Sequence, residues 1–212
     1  MKIVCISDTH KREPELPSGD VLIHSGDWSS FGYDTDTNKF IDWMSRIRFK
    51  YKRIVIVPGN HDKYIQSDTA KARQEFEDAN LDLLIDEEVT IDGLKFYGSP
   101  QQPIFGRWAF GADDAKRKLA FDAVPDDTNV LITHCPPRGY LDVLSIHNMD
   151  PLGNAGCEYL RDAVLRVRPL LHVFGHIHEA NGVALLGHTL LVNASHVDED
   201  YNPTNGFTVV RL

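Results

Sequence analysis

The chain lacks any run of about 18 apolar residues, so nothing in it reads as a membrane span. It also lacks the regions of a signal peptide, since Met1-Lys2 lead straight into a strand-like run. Cysteine is scarce: Cys5, Cys135 and Cys157 are widely spaced and odd in number. Such a set does not make a disulfide framework, and a reducing cytoplasm is the expected compartment. Basic charge is short too. The chain has 22 Lys and Arg against 31 Asp and Glu, a formal net charge of −9. That balance disfavours a scaffold that holds polymeric nucleic acid by its phosphates. A small anionic substrate stays open, because bound metal ions would reverse the local field. No repeat, linker or low-complexity stretch interrupts the 212 residues, and one domain over 1–212 is expected.

What the chain does have is a series of short apolar runs that stop at polar residues. Val21-Leu22-Ile23-His24 climbs to Ser25-Gly26-Asp27, the pattern of a buried parallel strand with a carboxylate at its carboxyl end. Lys2–Ile6 leads to Asp8 and His10, and Arg53–Val57 to Asn60, His61 and Asp62. Asn129–Ile132 leads to His134, and Leu170–Phe174 to His176 and His178. Helices are expected near 37–48, 68–79, 113–122 and 157–168, with Asp68 as an N-cap. Asp92-Gly93 marks a hairpin between 88–91 and 94–98. A second hairpin near 183–192 and a strand over 206–211 close the chain.

Mixed oxygen and imidazole ligands suit borderline divalent ions, manganese first, with iron(II) or zinc as alternatives. Calcium would want fewer nitrogens, and a structural zinc would want a thiolate pair. Seven groups exceed one coordination sphere, and Asp27 has two oxygens with which to bridge two ions. Two such ions about 3.5–4 Å apart activate water and neutralise phosphate oxygens. Taken singly, Asp-x-His or Gly-Asn-His-Asp is no more than a turn. Five in order, each after an apolar strand, are a site.

The series Asp8-x-His10, Gly26-Asp27, Gly59-Asn60-His61-Asp62, His134 and Gly175-His176-x-His178 resembles the calcineurin-like metallophosphoesterase superfamily. Ile6-Ser-Asp-Thr-His10 and His172-Val-Phe-Gly-His-Ile-His-Glu179 resemble its metallophosphoesterase-domain-containing branch more narrowly. The resemblance implies an α/β fold, a four-layer αββα sandwich of two mixed sheets flanked by helices. It implies one ion on Asp8, His10, Asp27 and His178, and another on Asp27, Asn60, His134 and His176. His61 would face the phosphate instead of a metal. Cys135 stands where that branch often carries glycine, which puts the shape of this loop in question.

The function expected is a phosphoesterase acting on a small phosphodiester, a cyclic nucleotide among the candidates, with a metal-activated water as nucleophile. The competing reading is a metal- and nucleotide-binding module with little turnover. It is disfavoured because no ligand position is lost. A phosphomonoesterase or phosphoprotein phosphatase is the third reading, and the Arg-bearing signatures of the phosphoprotein phosphatases are absent.

Other residues have plainer readings. Asp62 is expected to orient His61 or to cap the next segment. Phe105, Arg107, Trp108 and Phe110 are candidates to stack a base and clamp a phosphate, or else pack a loop or make a dimer contact. Arg138 and Asn154 are candidates for the rim. His24 and His172 are expected in the core, and His147, His188 and His196 at the surface. Oligomeric state is open.

Overall fold

The computed structural model describes residues 1–144 and 153–212. Side-chain alternation sets the architecture from the first strand. In β1 (Lys2–Ile6), Ile3 and Cys5 point to one face and Val4 and Ile6 to the other, all of them fully buried. A strand buried on both faces needs a layer on each side. Next come β2 (Val21–His24), α1 (Asp34–Ile47) and β3 (Arg53–Ile56). Helices α2 (Lys63–Ser67) and α3 (Thr69–Asp78) lead to β4 (Asp82–Leu83) and then to the hairpin β5 (Glu87–Ile91) and β6 (Leu94–Ser99). The short pair β7 (Gln102–Pro103) and β8 (Gly111–Ala112) precedes α4 (Asp114–Asp122), β9 (Val130–Thr133), α5 (Glu158–Val167) and β10 (Leu171–Phe174). The hairpin β11 (Gly182–Leu186) and β12 (Thr189–Asn193) is followed by β13 (Thr208–Arg211).

Two mixed sheets result. One runs β13-β1-β2-β3-β4 and the other β11-β12-β10-β9-β6-β5. Strands β1 to β4 are parallel, as are β6, β9, β10 and β12. Strands β13, β5 and β11 are antiparallel additions at the edges. Ile3, Cys5, Ile23 and Val55 of the first sheet meet Phe96, Ile132, Val173 and Val192 of the second in a buried layer. The outer face of the first sheet, with Val4, Leu22 and Ile54, is covered by Phe40, Trp43 and Met44 of α1 and Phe76 of α3. That of the second, with Leu131, Phe174 and Leu191, takes Phe121 of α4 and Leu160 and Val164 of α5. The layers are therefore helix, sheet, sheet, helix, as the family resemblance implies.

Departures from the expected elements have local causes. Helix α1 starts at Asp34, earlier than its apolar spacing indicates, with Asp34 and Asp36 in the first turn favouring the positive helix end. The two-residue strands and the single-turn α2 are too short to carry a period. Asp68 does cap α3, accepting from the Lys71 N–H at 3.3 Å. In the loop after β9, buried Asp142 accepts from the N–H groups of Gly139 and Gly156 and from Asn154 Nδ2, which ties the neck of that loop. His147 lies outside the described residues.

Candidate metal centre

Every candidate ligand follows the carboxyl end of a parallel strand, and the five ends bring their side chains together in two groups. Four of the ligands sit in left-handed backbone: Asp8, His10, Asp27 and His176 have φ of 52°, 41°, 58° and 71°. Non-glycine residues held there cost about 1–3 kcal/mol each and persist where the surroundings fix them. Glycine clears the space beside two of them. A Cβ on Gly59 would collide with the Asp27 carboxylate, and one on Gly175 with that of Asp8.

The ligand atoms form two groups. Asp8, His10 and His178 make one, and Asp27, His134 and His176 the other, with all ligand atoms in each group within 4.8 Å of one another. Asn60 joins the second group through Oδ1, 3.0 Å from His134 Nε2. Three histidines are oriented by backbone carbonyls: His10 Nδ1 by Ser29 at 2.9 Å, His178 Nδ1 by Asp198 at 3.1 Å and His134 Nδ1 by Ser25 at 2.8 Å. A carbonyl only accepts, so each Nδ1 carries the proton and each neutral ring turns a lone pair inward at Nε2. His10 and His178 Nε2 then face each other at 3.4 Å, with Asp8 Oδ1 3.3 Å from His178. His134 Nε2 lies 3.2 Å from Asp27 Oδ2. Converging acceptors of this kind call for a positive charge among them, and a divalent cation fits the donor set.

Without a metal, protons fill that role. Burial alone lowers His134, yet the Asp27 charge and hydrogen bond outweigh it and raise its pKa to about 9. Burial likewise opposes the proton on His178, but Asp8 raises it. For Asp8 burial pushes upward, and the bond and charge of His178 bring it well below the carboxylate range. His10 and His176 have no such dominant partner, and burial lowers both to about 4. Neutral imidazoles are the form that binds metal.

His61 sits beside these groups. Its Nδ1 bonds the Ser30 carbonyl at 2.6 Å, and its Nε2 is 3.9 Å from Asp27 Oδ2. Its ring stacks on Trp108 at 4.0 Å between centroids, with Lys63 Nζ 4.1 Å from the indole centroid. Asp62 does neither thing expected of it. It makes no bond to the His61 ring and none that caps α2. Its fully buried carboxylate accepts three backbone N–H groups, from Asp27 and Gly59 at 2.8 Å and Ser29 at 3.1 Å. Its role is positional: it locks the turn after β2 to the turn after β3.

The cleft holds about 370 Å³ and is lined by Asp27, Asn60, His61, His176 and His178 with Phe105, Leu144, Glu179, Glu199, Asp200 and Tyr201. Of the residues expected at the substrate, Phe105 lines the cleft, Trp108 reaches it through His61, and Phe110 is buried in the core under the first sheet. Arg107 is exposed and outside the lining, and Arg138 donates to the Asn154 carbonyl at 3.5 Å instead. Neither arginine is therefore among the cleft-lining residues. A larger cavity of about 660 Å³ sits between β4 and β5, where Arg48, Arg53 and Arg73 line it. It contains no cluster of ligand residues, and Arg53 is paired there with Asp82.

Tyr201 and Ser195 escaped sequence reasoning. The Tyr201 ring is edge-on to His10 and His178 at 4.8 and 5.2 Å. Ser195 Oγ lies 2.8 Å from Asp8 Oδ2. A polar run straight after a strand, Asn193-Ala-Ser-His196, was the available signal. His24 and His172 are core residues as expected, bonded to Thr9 and Thr133 hydroxyls, and His188 is exposed. His196 is buried, contrary to expectation, because the segment after β12 folds inward to reach Ser7. Cys135 is fully buried beside His134, its loop accommodating the larger side chain.

A layered α/β sandwich with two ligand clusters where its sheets' strand ends meet is the architecture of a metallophosphoesterase. The chain belongs to the calcineurin-like phosphoesterase family, whose model matches residues 1–180. It is 37% identical over 236 residues to metallophosphoesterase domain-containing protein 1 of Homo sapiens, covering 100% of this chain and 71% of that protein. It is 38% identical to UPF0046 protein K07C11.7 of Caenorhabditis elegans, over 94% of this chain and 71% of the relative. The crystal structure of TT1561 of Thermus thermophilus matches with a TM-score of 0.66 at 12% identity, covering 99% of this chain and 98% of that one, a likeness of fold. Family membership points to a metal-dependent phosphoric ester hydrolase acting on a phosphoester. Among the described residues, no helix is long and apolar enough to cross a membrane.

Proposed function

We propose that the chain is a dinuclear-metal phosphodiesterase that hydrolyses a small phosphodiester, with a cyclic nucleotide as the candidate substrate. The observation that carries this reading is the convergence of inward-facing acceptor atoms in two adjacent groups. Asp8, His10, Asp27 and His178 would hold one ion, and Asp27, Asn60, His134 and His176 the other, with Asp27 shared. Manganese suits the mixed nitrogen and oxygen set, and iron(II) or zinc suits it next. Two such ions supply a nucleophile at neutral pH and offset the charge on phosphate oxygens. The chain's own contribution is to aim the ligands, through Asp62 and the three carbonyls, and to place His61. With Nδ1 held by Ser30, His61 presents Nε2 to the cleft. As the imidazolium, with a proton on each ring nitrogen, it can pass the one on Nε2 to the leaving oxygen and keep the one bonded to Ser30. No ligand position is substituted, which favours turnover over mere binding.

Elemental analysis of protein prepared with manganese tests the reading. Two ions per chain are expected, with hydrolysis of a nucleotide diester abolished by chelation. Asp27→Ala is expected to lose both ions. One ion at saturation would reject the dinuclear assignment, and retention of both by Asp27→Ala would reject the shared carboxylate.

A further inference from the structure

The segment after β12 is built tightly against the centre. Asp198 Oδ1 accepts the N–H groups of Asp200 and Asn202 at 3.0 and 2.8 Å. The Asp198 carbonyl accepts the Tyr201 N–H at 2.9 Å and also receives His178 Nδ1. Tyr201, with φ of 63°, lays its ring against His10 and His178. One turn, 198–202, thus orients a candidate ligand and forms part of the cleft wall. The same turn brings the exposed Glu199 and Asp200 to that wall, where Glu179 also lies. Phe105 and Leu144 complete the described lining, which contains no Lys or Arg.

Sites for multiply phosphorylated ligands place Arg or Lys around the anion, because each further phosphate brings charge that must be met. Among the lining residues positive charge would come from the floor alone, with Lys63 held behind His61 over the Trp108 ring, and the wall repels anything negative beyond the scissile group. We propose that turn 198–202 is a charge filter, selecting phosphodiesters with a single negative charge and turning away substrates that carry further phosphate groups, a selectivity that rests on the phosphodiesterase reading above. Its carriers are Glu199 and Asp200. The carboxylates are exposed, so the repulsion acts at short range, is fullest at low ionic strength and is screened as salt is added. Tyr201 and Phe105 add apolar ring faces suited to an uncharged aromatic part of the substrate.

Two chromogenic substrates sharing one scissile bond test this with manganese-loaded protein: thymidine 5′-(4-nitrophenyl phosphate) and the same compound bearing a 3′-phosphate. At low salt, kcat/KM is expected to favour the first by about tenfold, and concentrated sodium chloride to shrink that preference. In Glu199→Gln/Asp200→Asn the two values are expected to come within about twofold, the carboxylates having been neutralised without change of size. Calorimetry supplies a readout independent of turnover. The double variant should gain affinity for thymidine 3′,5′-bisphosphate relative to thymidine 5′-phosphate, by a similar factor. A wild-type preference near one, or a preference and relative affinity unchanged in the variant, overturns the filter and leaves the phosphodiesterase reading standing. Absence of metal-dependent hydrolysis with the affinity shift intact overturns the hydrolase reading and supports the filter.

Discussion

His61 is fixed at three points: its Nδ1 on the Ser30 carbonyl, its N–H on Asp27 Oδ1 at 2.7 Å and its ring on Trp108. None of these consumes Nε2, the atom on the cleft side. His61→Ala is therefore expected to keep the metal content of the wild type while losing activity by about a hundred- to ten-thousandfold on a nucleotide diester. A nitrophenolate leaves without a proton, so the loss on a nitrophenyl ester should be much smaller. Equal losses on both substrates would reject the proton-donor role, and a lost ion would make His61 a ligand. The Trp108 contact has a part here too, because it limits how far the imidazole can swing.

At the scale of elements, the turns after β2 and β3 behave as one piece because a single carboxylate joins them. Asp62→Ala leaves three buried N–H groups without an acceptor, and a buried unpaired group costs about 1–3 kcal/mol. The urea midpoint of the metal-free variant should fall by the equivalent of about 3 kcal/mol or more, with Asp62→Asn falling less. A change within about 0.5 kcal/mol would mean that the turns hold without it. This tie also marks what the sequence could show. Ligand residues at the ends of apolar runs were readable, since the period of a strand and its stopping point are both local. The work of Asp62 was not, because its donors stand at 27, 29 and 59 and only pairing of β2 with β3 brings them together. Tyr201 was unreadable for the same reason: its partners are His10, far back in the chain, and His178 across a hairpin. Arg107 and Arg138 looked functional by residue type, while the direction of each depends on loop geometry that no period encodes.

Across the whole molecule, two buried histidines link stability to pH. Burial lowers His24 and His172 from 6.5 to about 3, so both are neutral in the fold. The unfolded chain takes up these protons below about pH 6.5 and the fold does not. Stability is thus full above about 6.5, falls as the pH drops, and stops falling on their account near 3, each contributing about 1.4 kcal/mol per pH unit. In His172→Phe the loss of stability between pH 7 and 4.5 should be smaller than in the wild type by about 2–3 kcal/mol, read from urea melts. An unchanged slope would mean that His172 is charged in the fold.

The pairing of β1 with β13 sets an order in time. Lys2 lies opposite Arg211 and Cys5 opposite Thr208, so one side of β1 has no strand to bond until residues near 208 exist. Ser195, which contacts Asp8, arrives almost as late. On the ribosome, β1 is made long before the strand that completes its pairing. An open edge of Ile-Val-Cys-Ile is exposed to other nascent chains until β13 has been made. Slowing translation between β1 and β13 should therefore raise the aggregated fraction of newly made chain, and an unchanged fraction would mean that the edge is covered earlier.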